Sequence, residues 1–156
     1  MCGSGMLSKA LKTCGVDIMP TDSNSWAKRA DENPEIFKPN AWLKEPFTEI
    51  EEIDAIEAIK KYGENVGFVI VSWPYMDNVC YNALQTMRNV NPKCKMIYIG
   101  EGYGGCCASD MFFDTFDELY DIEHVGYEEY SKLPISRINK IYKQWAGIHD
   151  IVMIGS

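Results

Sequence analysis

Histidine is almost missing from this chain, and cysteines at zinc-knuckle spacing are missing altogether. His124 and His149 are its two histidines, and Cys2, Cys14, Cys80, Cys94, Cys106 and Cys107 include no C-x-x-C. Neither a metal site nor a redox dithiol is therefore expected. Most of the thiols read as small core residues in a reducing compartment. Positive charge is also scarce: 15 Lys and Arg face 23 Asp and Glu, for a net charge of −8 and a pI near 4.7. That balance excludes broad electrostatic binding to nucleic acid or to an anionic membrane, and makes a small molecule or a protein the expected partner. No apolar run approaches the roughly 18 residues of a spanning helix, and no charged-then-apolar leader opens the chain, so no membrane span and a cytoplasmic location are expected. Repeats and low-complexity runs are lacking too.

What is present is a chain of 156 residues, 46% apolar and 12% aromatic, enough for a single domain with a core. Its N-terminal stretch orders the rest. Gly3 and Gly5 allow a sharp turn with no Cβ in the way of a ligand. Leu7, Ala10, Leu11 and Cys14 then follow at helical spacing, and the helix start would aim free amides at that ligand. Gly15 stops the helix, Val16 to Met19 reads as a strand, and Asp22 stands near the ~20-residue separation between a glycine turn and an acid that holds a ribose. Only Met1 and Cys2 precede Gly3, where such a turn ordinarily follows a buried strand. The first strand is therefore expected to be missing, with a chain that is N-terminally truncated.

Downstream, the pattern predicts a short helix over Ser25 to Glu32, with Trp26, Phe37 and Trp42 tacking a loop to the core or, for Trp26, bordering an adenine pocket. A third short strand is expected over Pro46 to Glu51, then a helix through Ile53, Ile56 and Ile59 that stops at Gly63. Gly67 to Trp73, β-branched and aromatic throughout, predicts the central strand of a parallel sheet, buried on both faces. Asp77 or Asn78 caps a helix with Val79, Cys80, Ala83, Leu84, Met87 and Val90 on one face, closed by Pro92. Met96 to Ile99 is the next strand. Ser109 is expected to cap a helix that turns Phe112, Phe113, Phe116 and Leu119 to the core. Ile122 to Tyr127 reads as a strand, Glu128 to Gly147 as loop and irregular helix, and Ile148 to Ile154 as the last strand. This alternation predicts an α/β, Rossmann-like, open and mainly parallel sheet with helices on both faces.

In such a sheet ligands bind beyond the carboxyl ends of the strands. That places the Gly3 to Gly5 turn, Asp22, Ser72-Trp-Pro-Tyr-Met-Asp77 and Gly100-Glu-Gly-Tyr-Gly-Gly-Cys-Cys107 in one crevice. With these segments, and Trp145 to Asp150 near the end, the chain resembles a small branch of the class I S-adenosylmethionine-dependent methyltransferases over nearly its whole length. The resemblance implies S-adenosylmethionine as cofactor, with its methionine portion against Gly3, Ser4 and Gly5, its ribose on Asp22, and its adenine amine on Asp54. It also places substrate near Ser72, Trp73, Pro74 and Tyr75, where amine methyltransferases carry an Asn or Asp followed by Pro-Pro-Tyr/Phe. Ser72 and Trp73 bring no amide or carboxylate, so methylation of an amine is not expected from these residues. Glu101 and Tyr103 are further substrate-contact candidates, and no catalytic residue is assigned. Cys106 and Cys107 as nucleophiles with His124 or His149 as base form an alternative without a recognised signature. Without the first strand, the fold is expected to bind the cofactor weakly or not at all, and to self-associate through exposed strand edges. The other reading is a non-catalytic or truncated module of the same fold that acts in binding.

Overall fold

The computed structural model describes residues 1–25, 28, 32, 46–119, 126–142, 144 and 147–156. They form a mixed α/β structure in two compact units, Met1–Ala58 and Ile59–Ser156.

In the first unit, the turn at Gly3 to Gly5 leads into helix α1, Met6–Thr13. Strand β1, Thr21–Asp22, pairs in parallel with β2, Glu51–Glu52. Both strands are two residues long. Val16 to Met19 and Pro46 to Ile50, expected as strand, lie outside these strands, and Val16 and Met19 are exposed. Helix α2, Ala55–Tyr62, begins where Asp54 Oδ1 accepts from the amides of Ile56 and Glu57 at 2.9 and 3.0 Å, an N-cap. The boundary between the units falls within α2. Ser25, Lys28 and Glu32 are helical as expected, while Trp26, Phe37 and Trp42 lie outside the described residues.

The second unit is built on a three-stranded sheet of order β3-β4-β5, with β3 Phe68–Ser72, β4 Lys95–Glu101 and β5 Asp150–Gly155. β3 and β4 are parallel and β5 is antiparallel to β4, so this sheet is mixed rather than mainly parallel. The expected centre is also corrected. β4 is the middle strand, and among the described residues β3 is an edge strand, with Phe68 58% exposed. A continuous β-branched run reads the same whether a neighbour lies on one side or two, and the alternating burial of β4 marks the strand that carries the core.

Helix α3, Val79–Val90, buries Cys80, Ala83, Leu84 and Met87 of the face its spacing predicted, whereas Val79 at its first position is exposed and Val90 at its last is half-buried. Asp77 Oδ1 accepts from the Val79 amide at 2.9 Å at its start. Helix α4, Asp110–Thr115, supplies the buried Phe112, whose ring centroid is 5.2 Å from Tyr98, 5.1 Å from Phe113 and 5.0 Å from Phe116. Leu119, expected in this core, is exposed: α4 ends at Thr115, and Leu119 instead donates its amide to Ile154 O beside β5. Helix α5, Tyr127–Lys132, takes the end of the strand expected over Ile122 to Tyr127, whose residues up to 125 lie outside the described ones. Helix α6, Pro134–Ile141, follows with Pro134 in its first turn, a position where the missing N–H costs nothing. Its Asn139 brackets Val152, donating to its carbonyl at 3.0 Å and accepting from its amide at 2.9 Å. Those backbone groups of edge strand β5 are thereby satisfied. No helix among the described residues is long and apolar enough to cross a membrane.

Candidate functional site

Two groups of residues, one in each unit, hold the candidate chemistry. In the first, Gly3 and Gly5 adopt φ of 53° and 76°, left-handed values open to glycine, and Gly5 donates its amide to Cys2 O at 3.0 Å. A Cβ on Gly5 would stand 2.9 Å from Thr48 Cγ2 and 3.2 Å from Ile50 Cδ1. Phe47 donates to Ser4 O at 2.9 Å, so the 46–50 segment also braces the turn. From the other side Asp22, predicted as the ribose acid, holds the turn itself. Its Oδ2 accepts from the amides of Cys2 at 3.0 Å and Gly3 at 2.9 Å, and its Oδ1 from Asn24 at 2.9 Å. A carboxylate offers about four acceptor positions, so roughly one remains. Asp54 is exposed and caps α2, which leaves its second oxygen for any adenine amine.

The second group lies at the carboxyl ends of β3 and β4. Trp73 leaves β3 with φ 45°, a strained value for a side chain of this size, and its amide bonds Ile99 O at 2.7 Å. Pro74 is buried, and Ser72 and Tyr75 are half-buried. Glu101 at the end of β4 faces its own loop: Oε2 accepts from the Cys106 amide at 2.8 Å and Oε1 from the His149 amide at 3.3 Å. The Cys106 thiol and these two amides hold the Glu101 carboxyl below its usual value. The same contact acts oppositely on the thiol. Glu101 first, then burial, pushes Cys106 up from the usual thiol value of 9.0 to about 11. A nucleophile needs the thiolate, so this arrangement disfavours the cysteine-nucleophile alternative. His124 lies outside the described residues.

Between Glu101 and Cys106 the chain makes a tight turn, with Gly105 N bonding Gly102 O at 2.9 Å and Gly104 at φ 79°. A Cβ on Gly105 would collide with Glu101 Cβ, so the turn favours glycine there. Tyr103 is exposed and lies edge-on to Phe113 at 6.0 Å, with the charges of Asp110 and Asp114 raising its hydroxyl pKa. It helps line a depression of about 360 Å³ with Gly102, Phe113, Phe116, Ile151 and Met153.

One residue escaped the functional reading of the sequence. Asp150, at the head of β5, is 3% exposed. Its Oδ2 accepts from Trp73 Nε1 at 2.9 Å and from the Tyr142 hydroxyl at 3.3 Å, while Gln144 Nε2 binds its backbone carbonyl at 2.8 Å. Burial, then the charge of Asp150, raises the Tyr142 pKa, which keeps that hydroxyl a donor. Oδ1 is buried with no hydrogen-bond partner among the described residues. A buried acceptor left unmade costs about 1 to 3 kcal/mol, and more when charged. A charged residue opening an otherwise apolar run was the signal in the sequence, but its partners Trp73 and Tyr142 are 77 and 8 positions away.

Within the first unit the structure joins Gly3 to Gly5 with Asp22, and within the second it joins Trp73 with Asp150, which lies opposite Glu101 in the sheet. Among the described residues no set of three or more His, Cys, Asp or Glu is placed to hold a metal ion. Comparison with protein-family models, with curated proteins and with solved structures finds no match for this chain.

Proposed function

We propose that the chain is a methyltransferase-like α/β module of the Rossmann-like type, with helices on both faces of its sheet, that binds S-adenosylmethionine at the Gly3 to Gly5 turn and transfers its methyl group to an unidentified acceptor. The observation that carries this is the meeting of the glycine turn with Asp22 at 2.9 Å, immediately ahead of α1. Turn, helix, strand and acid occur in the order that an adenosyl site uses, and the acid keeps about one acceptor position for a ribose hydroxyl. Methyl transfer from a sulfonium is an in-line displacement, so the protein's task is to align an acceptor and exclude water. No general base is needed when the acceptor is already nucleophilic.

A second reading is favoured by a specific observation. Asp22, Asp54 and Glu101, the three acids read as ligand acceptors, each accept from the chain's own amides. A module of this fold that binds without catalysis would look the same. Equilibrium dialysis of the full chain with labelled S-adenosylmethionine, on wild type and Ser4→Trp, separates the two. The methyltransferase reading expects saturable binding that a bulky side chain in the turn weakens at least tenfold. Absence of binding at millimolar cofactor, or equal binding by the two chains, overturns it in favour of the non-catalytic module.

A further inference from the structure

We propose that the Asp150 carboxylate is the anchor for an amine or ammonium ligand, bound between Trp73 and Tyr142 beyond the carboxyl ends of β3 and β4. A carboxylate oxygen only accepts, and among the described residues Oδ1 is buried without a donor, so the group that completes it must donate. Both described partners of Oδ2, the Trp73 indole N–H and the Tyr142 hydroxyl, are neutral donors. A protonated amine supplies the donor and the balancing charge together, which an alcohol does not.

Trp73 is 51% exposed and its ring reaches from the surface to the carboxylate, with the backbone held at φ 45°. The site is separate from the depression lined by Ile151 and Met153, because alternate residues of a strand point to opposite faces. It also changes what the sequence implied. Ser72-Trp73-Pro74-Tyr75 offers no carboxylate of its own, but β5 brings one to Trp73. The inference does not rest on methyl transfer. The amine site stands whether that reading holds or fails.

The test is a titration of the full chain, with ¹⁵N-labelled tryptophan, by methylammonium and by spermidine, following the Trp73 indole N–H resonance assigned through Trp73→Phe. Sodium at matched ionic strength controls for charge screening, and tetramethylammonium supplies a cation with no N–H. Both amines are expected to shift the resonance saturably, sodium not at all, and tetramethylammonium at least tenfold more weakly. Asp150→Asn should lose the response with the remaining spectrum intact. Tyr142→Phe, which keeps the carboxylate and frees a further acceptor position, should bind amines at least as tightly as wild type, and this arm decides the matter if Asp150→Asn does not fold. The proposal is overturned by an unsaturable wild-type response, by equal responses in folded Asp150→Asn, by loss of binding in Tyr142→Phe, or by a water molecule on Oδ1 in crystals grown with methylammonium.

Discussion

Asp22, Asp54, Asp77 and Glu101 all solve the same local problem, a backbone turn whose amides lack acceptors. Each sits where a strand or loop gives way to another element, and each accepts from backbone amides, from two positions away at Asp54 and Asp77 to 48 at Glu101. Acid at such a point was legible in the sequence, but whether it serves the chain or a ligand was not, because both uses need the same residue type. Removing the Asp22 carboxylate with Asp22→Ala deprives the amides of Cys2, Gly3 and Asn24. It is expected to cost about 1.5 to 3 kcal/mol in urea unfolding and to speed hydrogen exchange at Gly3; unchanged exchange there would contradict the brace. The Glu101–Cys106 pair gives a pH signature. A thiol whose folded value lies above 9.0 contributes stability that is present below pH 9 and lost as pH rises through about 11. Glu101 works in reverse: its folded value lies below 4.5, so its contribution is present above that pH and lost as the pH falls through the lower value. Alkylation of Cys106 should therefore reach half its limiting rate near pH 11, and Glu101→Gln should move that midpoint down. A midpoint at 9 in wild type would rule out the contact.

At the scale of elements, helical periodicity was the most readable feature. α3 and α4 present the side chains their spacing predicted, Val79 at the exposed start of α3 apart, because an amphipathic stripe has one way to be buried. Leu119 fell outside this rule since α4 stops four residues earlier. Phe112, fully buried among Tyr98, Phe113 and Phe116, should cost about 3 to 5 kcal/mol as Phe112→Ala in chemical denaturation, and a loss below 1 kcal/mol would show the cluster to be dispensable. The α6–β5 connection was not readable, since Asn139 looks like any polar helix residue until Val152 stands opposite it. Asn139→Ala leaves one amide and one carbonyl of β5 without those partners. The expected result is a loss of about 1 to 3 kcal/mol with faster exchange at Val152, a position that Asn139→Leu should not rescue.

For the molecule as a whole, the sheet of β3, β4 and β5 with its aromatic cluster provides the second unit with a core of its own, whereas among the described residues of the first the strands are two paired dipeptides. A chain beginning at Asp54, so that α2 keeps its cap, should unfold in one cooperative thermal transition. A broad, non-cooperative melt would show that the remainder is needed for folding. The sequence by itself determined the helix faces, the glycine turn and its acid, and the parallel pairing potential of β3 and β4, all of which are set by residue type and spacing over short separations. Only the tertiary structure decided that β4 rather than β3 is the middle strand, and that Asp150 lies against Trp73. Strand order and contacts across 77 positions depend on which surfaces bury each other, and neither residue type nor period encodes that choice.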